Sequence, residues 1–167
     1  CRHRVCANDP KVTLGLPEVM LGIHPGFGGT VRAVRLVGVA TAMDLMLTGK
    51  NLRPDRALQV GLVDEVVPAG QLLDAAKMLA LHPRARRQAP LSQRVLNLPL
   101  VRGLVAGRIE SQVRRRARKE HYPAPYAIVD LWRRHGASPR TGYEAEAQSV
   151  ARLVCTSTSR NLVRAFF

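Results

Sequence analysis

The sequence predicts an α/β fold over residues 1–82 and an all-α region over residues 83–167. Three observations predict it. Up to Leu81-His82, short β-type runs alternate with amphipathic helical stretches, which is the layout of an α/β domain. From Pro83 onward the strand signals stop and the chain becomes Arg-rich and helical. In that second part Val101, Val105, Ile109, Val113 and Ala117 recur at every fourth position, with Leu104 beside them. That stripe predicts one long amphipathic helix.

The elements follow in order. RHRVCA, residues 2–7, reads as a strand, and Asn8-Asp9-Pro10 as a turn. Lys11 to Leu16 is a second extended piece running into Pro17-Glu18. A helix is expected from Gly29 to Leu36, with Thr30 near its N-cap and Gly38 as its stop. Thr41 is expected to cap a helix over 42–47, ended by Thr48-Gly49. Pro54 opens the next, over 55–60, and Gly61 closes it. Residues 62–67, LVDEVV, form a strand, and 72–81 a helix with Leu72, Leu73, Ala76, Leu79 and Ala80 on one face. After the long helix, Tyr122-Pro123-Ala124-Pro125 reads as a stiff extended linker. Helices are expected over 127–134 (stopped at Gly136), 143–154 and 159–167, the last capped by Thr156 or Ser157, with 138–142 as a loop. The chain starts directly in strand-like alternation without an initiator Met and ends on two Phe, so both ends are expected to continue in a longer polypeptide.

Composition narrows the function classes. The chain has 167 residues, 46% hydrophobic, sufficient for one domain core or parts of two. Only 4% of residues are aromatic, so the core is expected to be built from Leu, Val and Ala. No run approaches the roughly 20 apolar residues of a membrane span, and no signal-peptide pattern occurs. The net charge of +14 is concentrated in the segments 84–87, 114–119 and 133–134. Such charge attracts phosphate groups or acidic partners, yet no aromatics alternate with these Arg runs as a base-stacking platform requires. Solvated helix faces are the expected state, and nucleic acid is not the expected partner. The basic run 114–119 has a second reading, a contact with the phosphates of a ligand. Cys1, Cys6 and Cys155 form no paired spacing, which points to a reducing compartment without a disulfide framework. Cys1 and His3 share one strand face and Cys6 the other, so no metal site is expected.

The stretch Leu14 to Arg32, LGLPEVMLGIHPGFGGTVR, holds the chemistry. Pro17 fixes its own φ and makes Leu16 extended, so Glu18 is presented on a turn or in the first turn of a short helix. Leu14, Leu16, Val19, Met20, Leu21 and Ile23 surround it in sequence. A carboxyl among such side chains loses hydration, the condition that suits a carboxyl to proton transfer near neutral pH. Equally, Glu18 reads as an ordinary first-turn acid favoured by the helix dipole. Pro25-Gly26 and Gly28-Gly29 allow a sharp turn and close approach to a ligand. His24 beside that turn reads as a structural histidine. Glu144 and Glu146 are expected to face solvent or pair with Arg.

LGLPEVMLGIHPGFGGTVR followed by LTGKNLRPDRALQVGLVDEVVP resembles the second half of an enoyl-CoA hydratase/isomerase domain of the crotonase superfamily. Downstream, KEHYPAPYAIVDLWRRHG and the YEAEAQSVARL…SRNLVRAFF ending are similar to the helical region that follows this domain in the alpha subunit of the bacterial multifunctional fatty acid oxidation complex. The resemblance implies the C-terminal half of a crotonase-like spiral fold over 1–82, then a helical linker over 83–167 before a 3-hydroxyacyl-CoA dehydrogenase domain. It implies hydration of trans-2-enoyl-CoA and double-bond isomerisation in fatty acid β-oxidation. Two glutamates and two backbone N–H groups do this work in the family, and Glu18 matches the glutamate that moves the α-carbon proton. Gly26, Phe27 and Gly29 match the loop lining the acyl pocket, without a chemical role of their own. The family suggests a cytoplasmic protein with an acyl-CoA thioester as substrate and a thiolase beta subunit as partner. NAD belongs to the dehydrogenase, and no G-x-G-x-x-G follows a strand here. No G-G-G-x-E segment, the family's source of the first glutamate and the oxyanion donors, occurs in the 167 residues either. A second reading is of another class: a non-catalytic basic interaction or nucleic-acid-binding module on a crotonase-like half-fold. It requires the Arg clusters to form one exposed face whose binding weakens steeply with salt.

Overall fold

A computed structural model describes residues 2–85 and 87–166. Cys1, Arg86 and Phe167, which figured above in the metal, charge and chain-end readings, lie outside the described residues.

Two small pairs of strands frame the first part. β1 (Val5–Ala7) lies parallel to β4 (Glu65–Val67), with Cys6 opposite Val66. β2 (Leu14–Gly15) lies antiparallel to β3 (Asn51–Leu52). Between β2 and β3 come a 3-10 helix (Pro17–Leu21), α1 (Gly29–Val37) and α2 (Val39–Thr48). α3 (Pro54–Val60) links β3 to β4, and a 3-10 turn (Ala69–Gln71) leads into α4 (Leu72–Leu81). The rest is helical: α5 (Leu91–Val95), α6 (Pro99–Arg116), α7 (Ala124–His135), α8 (Pro139–Val154) and α9 (Ser157–Phe166).

Local chemistry explains most boundaries. Proline stands in the first turn of α3, α6, α7 and α8, where its missing N–H costs nothing and its φ is already helical. The same rule corrects two expectations. Pro123-Ala124-Pro125 opens α7 instead of forming an extended linker, and Pro139 opens α8 inside the expected 138–142 loop. Gly38 (φ 83°) ends α1 and caps α2, so α2 begins at Val39 and Thr41 lies within it, not at its cap. A side chain at Gly38 would meet Gln93 Cβ at 2.6 Å. The apolar stripe of α6 faces inward at Val113, but Leu104 points outward and Ala106 takes the buried place beside the stripe. Thr156 caps α9 as expected, its hydroxyl accepting the Ser159 N–H at 3.2 Å.

α2 is the pivot of the core. Ala42, Met43 and Met46 pack with Val34, Val37 and Val39 and with Ile128, Val129, Trp132 and Leu153 of the helical region. Leu45 instead joins Cys6, Leu52, Ala57 and Val63 beneath the strands. Burying side chains on two sides of one helix fixes the strand layer and the helical region against each other. Several basic residues are neutralised locally: Arg114 and Arg133 by Glu110, Arg134 by Asp130 and Arg84 by Glu65. Among the described residues no helix is long and apolar enough to cross a membrane.

Candidate active site

Glu18 sits on the 3-10 helix that Pro17 opens. The Glu18 carbonyl accepts the Ile23 N–H at 3.3 Å and the Val19 carbonyl accepts the Gly22 N–H at 3.0 Å, so the turn closes on itself. Three further elements hold it. The Tyr122 hydroxyl donates to the Val19 carbonyl, and burial pushes its pKa up, which keeps the phenol protonated as a donor. α9 lies against Gly22, where a Cβ would come within 3.1 Å of Ser159 Cα. The end of α2 packs on the other side, Gly49 against Met20 and Val19. Glu18 itself is half-buried. Its Oε2 is removed from solvent and has no hydrogen-bond partner among the described residues. Buried carboxyl oxygens are nearly always satisfied, and one that is not calls for a functional account.

His24 follows two residues after the turn and is 0% exposed. Nδ1 lies 2.9 Å from the Pro25 carbonyl and Nε2 2.9 Å from Ser149 Oγ. A carbonyl only accepts, so Nδ1 carries the proton and Nε2 accepts the serine O–H. Desolvation lowers its pKa below the ordinary 6.5, while the Pro25 carbonyl and then the Glu146 and Glu18 carboxylates act in the other direction. The structural reading of this histidine is the one observed: a neutral, bonded core residue. Its proton linkage has a definite sign. The unfolded histidine binds a proton more readily than the folded one, so this contribution to stability is complete above about pH 6.5 and is lost as pH falls from there through the lower folded value. His24→Gln, which keeps a donor for the Pro25 carbonyl, is expected to be less stable at neutral pH but to flatten the dependence of Tm on pH below that point. Thermal melts of both proteins across the range check it.

The loop after His24 is anchored by a residue that sequence reasoning misplaced. Glu146 does not face solvent; it is 1% exposed. Its carboxylate accepts the Gly28 N–H, the Thr30 N–H (2.8 Å) and the Thr30 hydroxyl. Thr30 therefore does not cap α1 with its own side chain. A carboxylate from α8 does so, satisfying free N–H groups at a helix N-terminus where negative charge is favoured. A signal was present: Gly142, Glu146, Ser149 and Leu153 recur at four-three-four spacing and make up the buried face of α8. Glu144 is off that face and bonds Gln148 at 2.8 Å, exposed as expected.

Anchoring Gly28 and Thr30 shapes the loop between them and His24. Phe27 is 100% exposed at a φ of 52°, a conformation disfavoured for a bulky residue. Its carbonyl accepts from the Arg32 guanidinium, which also lies over the Tyr143 ring, 5.4 Å from the centroid. A Cβ on Gly26 would meet nothing within 4 Å, and one on Gly29 would meet Pro25 Cβ at 2.7 Å. His24 thus feels the Glu18 carboxylate on one side and bonds the Pro25 carbonyl at the start of the Gly26–Gly29 loop on the other, with the Phe27 ring exposed on that loop. Cys6 is buried, its thiol pKa raised by desolvation, and Cys155 is exposed. Among the described residues no three His, Cys, Asp or Glu side chains come together as a metal site.

The model of the enoyl-CoA hydratase/isomerase family matches residues 1–120. The chain belongs to that family. The match runs past β4 and α4 and through the whole of α6. Solved members of the hydratase group share the fold. An enoyl-CoA hydratase from Rhodobacter sphaeroides 2.4.1 superposes with a TM-score of 0.65 at 22% identity, over 100% of this chain and 54% of its own. An enoyl-CoA hydratase/isomerase from Pseudoalteromonas atlantica T6c gives 0.61 at 20% identity, over 100% and 53%. A carnitinyl-CoA hydratase from Mycobacterium avium gives 0.58 at 21% identity, over 97% and 50%. The architecture of this enoyl-CoA hydratase/isomerase family member is therefore α/β and crotonase-like, continued by helices. The chain spans about half the length of these solved structures.

Proposed function

We propose that this chain supplies the α-carbon acid/base of an enoyl-CoA hydratase/isomerase acting in fatty acid β-oxidation, and that Glu18 is that group. The observation carrying this reading is the buried, partnerless Oε2 of Glu18 on a turn held from three sides. A carboxyl oxygen with no structural bond is free to bond a substrate C–H or the proton taken from it. In hydration, water gives a proton to a second carboxylate and adds its oxygen to the β-carbon of trans-2-enoyl-CoA, the electron pair moves to the thioester oxygen as an enolate, and protonated Glu18 delivers its proton to the α-carbon. In isomerisation, Glu18 removes an α-proton from a 3-enoyl-CoA to give a dienolate, and the proton is returned to C4 as the double bond moves into conjugation. Gly26, Phe27 and Gly29 belong in this proposal to the wall of the acyl site, with the exposed Phe27 ring as its apolar contact.

Both reactions need donors for the enolate oxygen, and hydration needs a second carboxylate to activate water. In the family these come from a G-G-G-x-E segment, which these 167 residues do not contain. The proposal therefore places this sequence within a longer polypeptide, the alpha subunit of a multifunctional fatty acid oxidation complex. That subunit is cytoplasmic, pairs with a thiolase beta subunit, and uses NAD in a dehydrogenase domain outside the present residues. Losing oxyanion donors costs about 10²–10³ in rate and losing a general acid–base group about 10²–10⁴. Purified 1–167 is accordingly expected to hydrate crotonyl-CoA negligibly. Robust turnover by it would overturn the division of labour proposed here.

A further inference from the structure

Tyr122 stands in the loop between α6 and α7, and hydroxyl groups pin that loop at both ends. The Tyr126 hydroxyl donates to the Ala117 carbonyl at 2.6 Å, and the Thr158 hydroxyl of α9 donates to the His121 carbonyl at 2.9 Å. The Tyr122 N–H bonds the Arg118 carbonyl at 2.9 Å, and its ring packs against the main core cluster. From this fixed base the phenol donates to the Val19 carbonyl, 103 positions earlier in the chain and one residue past Glu18. A side chain locked by packing and by its neighbours' bonds holds its partner to one place.

The Val19 carbonyl does not need this bond to be satisfied. It already accepts the Gly22 N–H at 3.0 Å, inside the turn. Such internal bonds keep the shape of the turn but move with it. The contacts with Gly49 and α9 are van der Waals contacts, which confine the turn without giving it direction. The phenol ties it to another element along a defined line. The two reactions ask different things of a carboxylate held this way. Hydration calls on Glu18 at one atom, the α-carbon. Isomerisation by a single shuttling carboxylate calls on it at two, the α-carbon and C4, which lie two bonds apart in the acyl chain. A turn fixed in one place suits the first reaction, and a turn with some play suits the second.

We infer that Tyr122 is a positioning residue that holds Glu18 at the α-carbon and so biases the site toward hydration over isomerisation. The inference rests on the reading of Glu18 as the α-carbon acid/base. The phenol acts through the Val19 carbonyl and takes no part in the proton transfer itself. Burial raises its pKa, so it remains an O–H donor throughout the neutral range.

The test is Tyr122→Phe in an active polypeptide that contains this sequence. The change keeps the ring in the core and leaves the Val19 carbonyl its bond from Gly22, so the fold is retained, and a thermal melt verifies it. Rates are measured for hydration of crotonyl-CoA and for isomerisation of trans-3-hexenoyl-CoA, the second counted as the sum of trans-2-hexenoyl-CoA and its hydration product. Hydration is expected to lose about tenfold in kcat at an unchanged KM, since a misplacement of about 1 Å costs up to about 10²-fold. Isomerisation is expected to lose less than about twofold, so the ratio of the two moves toward isomerisation by about fivefold or more. Asn97→Ala, which removes the acceptor of the Trp132 indole N–H away from the turn, is expected to lower the melting temperature and to leave that ratio unchanged. Glu18→Gln, assayed beside them, separates this inference from the reading beneath it. If Glu18→Gln abolishes both activities while Tyr122→Phe leaves the ratio unmoved, or moves it no more than Asn97→Ala does, the positioning role is overturned and the role of Glu18 stands. Activity retained in Glu18→Gln would overturn both.

Discussion

Glu18→Gln, made in an active polypeptide that contains this sequence, is expected to lower kcat for crotonyl-CoA hydration by about 10²–10⁴ and to leave KM nearly unchanged. The loss corresponds to about 3–5 kcal/mol of transition-state stabilisation. Gln has the shape of Glu but cannot exchange a proton at neutral pH, so the change removes the transfer step and little else. Stability is a built-in control. Oε2 of Glu18 makes no hydrogen bond among the described residues, whereas the turn is held by backbone carbonyls and by Tyr122, none of which the substitution touches. The melting temperature of the variant is therefore expected to match or exceed that of the parent while activity collapses. Steady-state kinetics with a thermal melt on the same preparation separate the two. A variant that loses stability and activity together would point to a structural carboxylate.

Glu146→Ala is expected to do the reverse damage, costing about 3 kcal/mol or more of folding stability. It would strip partners from two N–H groups at the start of α1 and from the Thr30 hydroxyl, all at a buried site. Each buried donor left unsatisfied costs about 1–3 kcal/mol, and bonds to a charged acceptor are the stronger kind. Against a total stability of about 5–15 kcal/mol for a domain, that is a large share. Thr30→Val removes only the hydroxyl and is expected to cost about 1 kcal/mol. Glu144→Ala, two residues away on an exposed face, is expected to stay within about 0.5 kcal/mol. Urea unfolding of the three variants checks the order. The loop should respond too: without Glu146 nothing fixes the Gly28 N–H, and Phe27 loses the anchor that sustains its positive φ.

Glu146 also marks where the sequence was hard to read. Signals that act within a few residues were legible. Pro54 and Gly61 bracket α3, and Pro17 places Glu18 on a short turn, because both residue types restrict the backbone directly. His24 could be read as a core histidine from its apolar neighbours. Local signals mislead where two of them compete. At Gly38-Val39-Ala40-Thr41 the threonine looked like the better cap, yet glycine's positive φ sets the corner between α1 and α2. At Pro123 and Pro139 proline suits an extended linker or a loop as well as a first helical turn, and the structure uses it to open α7 and α8. Pairings across long stretches of chain left almost no local trace. β1 lies beside β4 some 60 residues later, and Glu146 caps a helix 116 residues before it. The i, i+4, i+7, i+11 pattern of α8 did record that Glu146 points inward. Two of its four positions are polar, however, and a polar residue on an inner face identifies no partner by itself.

The central claim is that Glu18 moves the proton at the α-carbon. Butyryl-CoA isolates that step, because it has no double bond to hydrate and no β-hydroxyl to eliminate. Incubated in deuterium oxide with the active parent polypeptide, it is expected to exchange an α-hydrogen for deuterium, read by mass spectrometry. With Glu18→Gln the exchange rate is expected to fall at least about a hundredfold, at ligand concentrations that saturate both proteins. Exchange that continues at the parental rate in the variant would contradict the account, since some other group would then be handling the proton.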